Sequence, residues 1–451
     1  MRTASRPHSR DASVDADADC SRRCDHALAL LLTHRGNPAA VIDRVLADAP
    51  RCVFANCLRA ALIVRADDIS AWSALNESVA VIEAECADPN HPARRHAAAA
   101  RAWLEGDPAL ALDRYGEIVA ERPRDVLAIT LAHALDFRLG RRQMLRDRLA
   151  QALPAWEATL PGYASVLAMY AFGLEENGEY RRAETVARRT LDLDPMHPGA
   201  IHVMAHVMEM QGRNREGLAF LAATEGAWSE GTGFSVHLAW HRALLHLDAG
   251  EMGAALKIYD AQIANADPSD MSALADGAAL LWRLQLRSLD VSERWRLLAD
   301  RWERQTLVRA RSFYLVHAMM AFAAAERMAA GARLLAMLAR TDSSYPSRSS
   351  PEAILAEPFC KALLAFARGD YAECVEWLTR VRSIAHRCGG SLAQCDLIHL
   401  TFTEAALRAR RKSLARSLVA ERSAWKPASG VNRLLQNRLR TMSRDERSVA
   451  A

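Results

Sequence analysis

Glycine recurs along the middle of this chain at a spacing that few folds can accommodate. Gly106, Gly140, Gly178, Gly212 and Gly250 follow one another at intervals alternating between about 34 and about 38 residues, the period of a helical repeat. In "NGEYRRAETVARRTLDLDP" (177–195) the glycine is followed by an aromatic residue at +2, small residues at +5 and +9, and proline at +17. "EGDPALALDRYGEIVAERP" restates that frame from Gly106 to Pro123. Between these marks apolar residues recur at three and four, and the alternation of a strand is missing. Each unit reads as a helix, a glycine turn, a second helix and a proline that stops it. One unit cannot bury its own apolar face, so units must stack into a shared core. The expectation is an all-α array of antiparallel helix pairs, roughly ten or more at this period.

Other segments fit the frame more loosely. "HRGNPAAVIDRVLADAP" from residue 34 reads as a first unit, and "RGDYAECVEWL" from 368 restates the turn. "RKSLARSLVAERSAWKP" ends on Pro427, as far from Arg410 as Pro123 is from Gly106, so Arg410 stands where glycine stood before. Residues 269–310 keep the frame poorly. "TDSSYPSRSSPEAILAEP" (341–358) is rich in serine and proline and predicts a loop that breaks the array. Residues 1–24 are polar and aperiodic, which predicts a disordered tail. The expected organisation is that tail, a helical array over 25–340, the 341–358 loop, further helices over 359–440, and a flexible end over 441–451.

A net charge of +4 with interspersed signs creates no field toward nucleic acid or an acidic membrane. Nine cysteines, scattered from Cys20 to Cys395 without a CxxC, do not have the spacing of a zinc ribbon or a disulfide framework. Cys20/Cys24 and Cys52/Cys57 are the closest pairs. No apolar run reaches membrane-spanning length, and the first residues lack the apolar core of a secretory signal. A cytoplasmic protein that binds neither nucleic acid nor membrane is expected.

The period with these residues resembles the tetratricopeptide repeat (TPR). The words "LPGYASVLAMYAFGLEENGEY", "HVMAHVMEMQGR", "ALLWRLQL", "VHAMMAF", "FARGDY" and "GGSLAQCDLIHLTFTEAALRA" resemble the tetratricopeptide repeat protein 38 family over most of the chain. That resemblance implies a right-handed superhelix, an α-solenoid, and leaves the activity open. Three positions depart from the family pattern: Cys395 replaces the arginine of "GGSxAQRD", the second histidine pair lies in "VHLAWHRALL", and Gly277 and Ala279 stand where serine is usual.

"HVMAHVMEM" carries the chemistry. Offsets of four and seven positions advance by about 40° and retreat by about 20° around a helix, so His202, His206 and Glu209 share a narrow stripe. They sit ten, six and three residues before Gly212, positions that face inward in repeats of this kind by the resemblance. His237 and His241 form a second pair before Gly250, and Glu175 lies three before Gly178. His317 falls on the inner face of a later unit, and His133, seven before Gly140, lies nearer the packed face. Imidazoles at i, i+4 on neighbouring helices, with carboxylates in phase, are how helical bundles hold transition metals. Zinc, iron or manganese would suit a set drawn from His202, His206, Glu209, His237 and His241. The same groups without metal form a polar pocket suited to acid–base chemistry. There is no HExxH.

Secondary candidates are Asp276 and Arg283, seven apart on one face and expected to pair or to line the groove, and Ser391 with Asp396. Ser391 reads as an N-cap at a helix start able to hold an anion, and a thiol there, Cys395, could have a lowered pKa. Trp228, Trp240 and Trp282 read as core, and 433–447 as a solvated final helix. Two functions follow: a His/Glu-lined pocket for a small ligand or metal that can support catalysis, or a scaffold binding a peptide or helix in the concave groove. The break at 341–358 leaves room for a homodimer.

Overall fold

A computed structural model describes residues 10–67, 69–229, 233–308, 310–339 and 351–449. These residues form 24 α-helices and no strand, and no helix among them is long and apolar enough to cross a membrane. The chain divides into two compact units, Met1–Leu135 with Gln151–Tyr163, and Asp136–Ala150 with Ala164–Ala451.

In the first unit the helices Arg10–Thr33, Pro38–Asp48, Val53–Ala66, Trp72–Glu85, Pro92–Leu104 and Pro108–Glu121 each pack on the next. Three of them start by the same local device: Asn37, His91 and Asp107 accept a backbone N–H through the side chain, and proline follows in the first turn. The tail expected over 1–24 is helical from Arg10 onward. Cys24, Ala27 and Leu31 are buried at helical spacing and carry the helix back into the polar segment. Residues 1–9 lie outside the described residues.

The second unit contains the row of inner helices. Pro198–Met210 packs on Ser235–Ala249, which packs on Met271–Leu286, then Ser312–Ala324, then Pro351–Ala367. Residues 269–310, which keep the sequence frame poorly, form a regular pair, Met271–Leu286 and Ser292–Glu303. Of the expected 341–358 loop, 351–358 is the start of the Pro351–Ala367 helix, with Pro351 in the first turn where its missing N–H costs nothing; 341–350 lies outside the described residues. The helix Gly430–Val449 likewise takes in most of the expected flexible end.

One turn recurs throughout. At Gly178, Gly212, Gly250 and Gly369 φ is positive, and the next N–H reaches back five residues, as from Arg213 to the Met208 carbonyl at 2.8 Å. This closes the helix end. Ser288, Glu326 and Arg410 adopt the same left-handed conformation and make the same bond, Arg411 N to Ala406 O at 2.8 Å being one instance. The array therefore continues through units that carry no turn glycine.

The last helices return to the inner row. Leu392–Arg408 packs on Met271–Leu286, and Gly430–Val449 packs on Ser235–Ala249. Trp282 donates to Thr401 Oγ1 at 3.0 Å, and Arg283 to the Ala393 carbonyl at 2.7 Å. Ser429 Oγ and the Gly430 N–H both donate to Asp248. At Gly430 a Cβ would sit 2.1 Å from the Asp248 carbonyl oxygen, so only glycine lets the segment come this close. Trp228, Trp240 and Trp282 are core, as read from the sequence.

Candidate metal centre

Four imidazoles meet at the centre of the second unit. His202 and His206 stand one turn apart on Pro198–Met210, and His237 and His241 one turn apart on Ser235–Ala249. Each ring offers one nitrogen to a set whose members all lie within 4.8 Å of one another. His206 Nε2 is 3.0 Å from His202 Nε2, and His241 Nε2 is 3.3 Å from His237 Nε2. With metal–nitrogen bonds of about 2.1 Å, ligand edges are about 3.0 Å at right angles and about 3.4 Å at the tetrahedral angle. The observed separations fall in that window. His206 and His241 are fully buried, His202 nearly so, and the His237 side chain keeps 21% exposure, the set's one open edge.

Behind the rings stand carboxylates. Glu209 Oε2 lies 3.0 Å from His241 Nδ1, Asp276 Oδ2 2.7 Å from His237 Nδ1, and Glu175 Oε2 3.2 Å from His206 Nδ1. At Asp276 and Glu209 an ionised carboxylate can only accept, so it fixes the proton on Nδ1 of His237 and His241 and leaves their Nε2 as a lone pair. For His237 and His241 this aims two lone pairs at each other across 3.3 Å, an arrangement that needs a proton or a cation between them. Burial holds His206 down to about 4 and His241 well below its ordinary value, so neither readily takes that proton. Burial lowers His237 as well, but Asp276 outweighs it and leaves that ring raised.

Carboxyl groups and two cations surround the rings. Burial, with the neighbouring charges of Glu209 and Glu175 respectively, pushes Glu175 and Glu176 up to about 8 each. Arg142 lies 3.4 Å from Glu176, and Lys426 Nζ donates to Glu209 Oε1 at 2.9 Å. Both oxygens of Glu175 and the Nδ1 of His206 are buried without a well-aligned hydrogen bond. A cation among the four Nε2 atoms would favour the ionised carboxyl that gives this group its partner.

The candidates read from the sequence distribute as follows. His202, His206, His237 and His241 converge. Glu209, placed among the metal ligands by its helical stripe, sits one layer back, because Lys426 and the Nδ1 of His241 take its two oxygens. Glu175 has the corresponding place behind His206. Asp276 and Arg283 do not pair: seven positions span about 10.5 Å along a helix, so Asp276 turns to His237 while Arg283 caps backbone carbonyls at Ala279 and Ala393. His317 stands outside the four, its Nδ1 on the Phe313 carbonyl at 2.7 Å, beside a cavity of about 20 Å³. His133 belongs to the first unit.

Ser391 is the N-cap of Leu392–Arg408, in a reciprocal box with Gln394. The carboxyl at that helix start is the protein's own Glu176, whose two oxygens accept from Leu392 N at 3.0 and 3.1 Å. Asp396 is taken by a buried two-pronged pair with Arg422, 2.8 Å on each arm. Burial raises the Cys395 thiol, contrary to the lowered pKa expected at a helix start. Arg142 also borders a cavity of about 310 Å³, shared with Arg382, His386, His399, Phe402 and Trp425. Sequence reasoning missed Glu176, Arg142, Lys426 and Arg422; the "EE" of "GLEENG" and the rarity of lysine in the chain were the available signals.

No protein-family model matches the chain.

Proposed function

We propose that the four histidines bind a divalent transition metal ion and that the protein is a metal-dependent enzyme acting on a small molecule. The observation carrying this reading is the convergence of four imidazoles, three of them (His206, His237 and His241) backed by carboxylates, the second shell of metal-bound histidine. Imidazole donors suit iron, zinc, copper and nickel. Four neutral nitrogens leave the ion its full positive charge. On an ion that takes five or six ligands they also leave positions for water or substrate, which would approach past the exposed edge of His237. A structural role is less economical, since the helices around the cluster already share a large apolar core.

The alternative, a scaffold whose concave groove binds a peptide or helix, requires an accessible inner surface. The return of residues 391–432 across the inner helices, through Glu176, Glu209, Asp248 and Trp282, weighs against it. The tetratricopeptide repeat protein 38 resemblance supports the stacked-pair architecture of this reading and is neutral on the chemistry.

Elemental analysis of untagged protein, wild type beside His206→Ala and His241→Ala, tests the proposal. Near-stoichiometric metal in wild type, lost in both variants while their helical content persists, supports it. Metal-free wild type, after growth and refolding in zinc, iron and manganese, rejects it.

A further inference from the structure

Three cysteines meet in the first unit, separate from the histidine centre. Cys20 and Cys24 stand one turn apart on Arg10–Thr33, and Cys52 is the residue capping the start of Val53–Ala66. Their sulfurs all lie within 4.8 Å of one another, with Cys20 Sγ 3.2 Å from Cys52 Sγ. Cys24 is fully buried, while Cys20 and Cys52 keep partial exposure. The turn presenting Cys52 is held by the buried Asn56, whose Nδ2 donates to the Pro50 and Cys52 carbonyls at 3.0 Å each. Neither close cysteine pair in the sequence reveals this set, because its third member comes from another helix.

We propose that Cys20, Cys24 and Cys52 form a thiolate site for a soft d10 metal ion in three-coordinate geometry, with monovalent copper as its occupant. Thiolate is the donor that selects such ions. No histidine or carboxylate joins the three among the described residues. The set therefore falls one ligand short of the closed four-coordinate shell of structural zinc and matches an ion content with three sulfurs. Around an ion at about 2.3 Å, three sulfurs are about 4 Å apart. The Cys20–Cys52 separation would open by less than about 1 Å to reach this, within reach of side-chain rotation.

Binding exchanges the three thiol protons for the ion, so the loaded site carries two negative charges. The Arg23 guanidinium, whose charge acts on Cys20, offsets part of this. So does the N-terminal end of Val53–Ala66 at Cys52. Burial pushes Cys20 up to about 11 and Cys24 up to about 12.

The test is an anaerobic Cu(I) titration of reduced, full-length protein against a chromogenic Cu(I) chelator, followed by the sulfur-to-copper charge-transfer band and X-ray absorption. Cys20→Ser and Cys52→Ser are measured alongside. Serine is a good N-cap and Cys52 makes no capping bond of its own, so Cys52→Ser keeps the fold. Wild type whose histidine centre has first been filled with zinc is expected to bind one Cu(I) per chain with sulfur neighbours only. Both variants should lose the band and weaken binding beyond the roughly 100-fold that removal of a supporting partner costs. A His206→Ala variant should keep the band, which separates this site from the histidine centre. Equal Cu(I) binding in wild type and both serine variants, nitrogen neighbours in wild type, or no Cu(I) binding by reduced wild type would each overturn the assignment.

Discussion

Glu175→Gln separates a metal-supporting carboxylate from a merely structural one, because the two roles predict opposite signs. Glu175 is fully buried, and its Oε2 lies 3.2 Å from His206 Nδ1. Burial pushes its carboxyl up to about 8, so in the metal-free protein at neutral pH it is mostly protonated, and glutamine of the same shape replaces it at little cost. The metal-free variant should melt at or slightly above the wild-type temperature. With metal the balance reverses. Loss of an outer-shell carboxylate costs about 10–100-fold in affinity, or about 1.4–2.7 kcal/mol. At a metal concentration of about 100 times the wild-type Kd, wild type gains about 2.7 kcal/mol from binding, while a variant weakened 100-fold gains only about 0.4 kcal/mol. Paired thermal melts with and without zinc or ferrous ion, backed by calorimetric titration, read both quantities. Equal metal-induced shifts in the two proteins would refute the role assigned to Glu175. A metal-free variant destabilised by several kcal/mol would make the residue a structural anchor instead.

Three other substitutions test the frame that holds the centre. Arg410→Gly should stabilise by about 1 kcal/mol, since Arg410 is exposed and held at φ 56°, a conformation costly for any side chain; a urea midpoint that falls would show that the turn is not strained. Gly430→Ala should destabilise by about 3 kcal/mol through the clash with the Asp248 carbonyl, and an unchanged midpoint would mean that the C-terminal segment does not sit so close. Asp396→Asn leaves the buried Arg422 without its carboxylate, keeping only Ser429 and Asn432 as acceptors, and should cost about 3–5 kcal/mol at neutral pH. Burial raises Asp396, but Arg422 outweighs it and holds the carboxyl well below its ordinary 3.8. Its contribution is therefore complete above that value and is lost as pH falls below it, so acid titration of stability should show a steeper limb in wild type than in the variant.

The sequence is legible where structure follows from short-range rules. Helical offsets place His202 with His206 and His237 with His241, and the glycine period puts the two pairs on neighbouring helices. It is less legible where a turn breaks its own rule. Ser288 and Glu326 adopt the left-handed conformation without the glycine that marks it, so the units they close look irregular in sequence. Contacts created by the returning C-terminal helices are invisible for a different reason. Lys426 meets Glu209, and Leu392 meets Glu176, across more than two hundred residues, and no local periodicity encodes either pair. Asp276 lies between these cases: its helical face is readable, but its partner depends on reach along the helix axis, which a helical-wheel angle does not contain.

The repeat itself explains why the centre has the chemistry it has. Glu175 and Glu209 occupy the same register position, three residues before the turn glycines Gly178 and Gly212. Each backs a histidine of the next inner helix, His206 and His241 respectively. One step of the array thus supplies a carboxylate in fixed register and the following step the ring behind which it stands, although the rings, six residues before Gly212 and nine before Gly250, do not share a register. The other histidine of the second pair, His237, takes its carboxylate from the helix beyond, at Asp276. Inner helices lie roughly 8–10 Å apart, a distance two facing imidazoles can span to within ligand contact, and stacking brings the pairs together without a dedicated loop. A stack of similar units needs only i, i+4 histidines on two consecutive inner helices and a glutamate three before the turn to build a supported four-nitrogen centre. The C-terminal return then adds contacts that the period cannot supply, Lys426 against Glu209 and a helix start against Glu176.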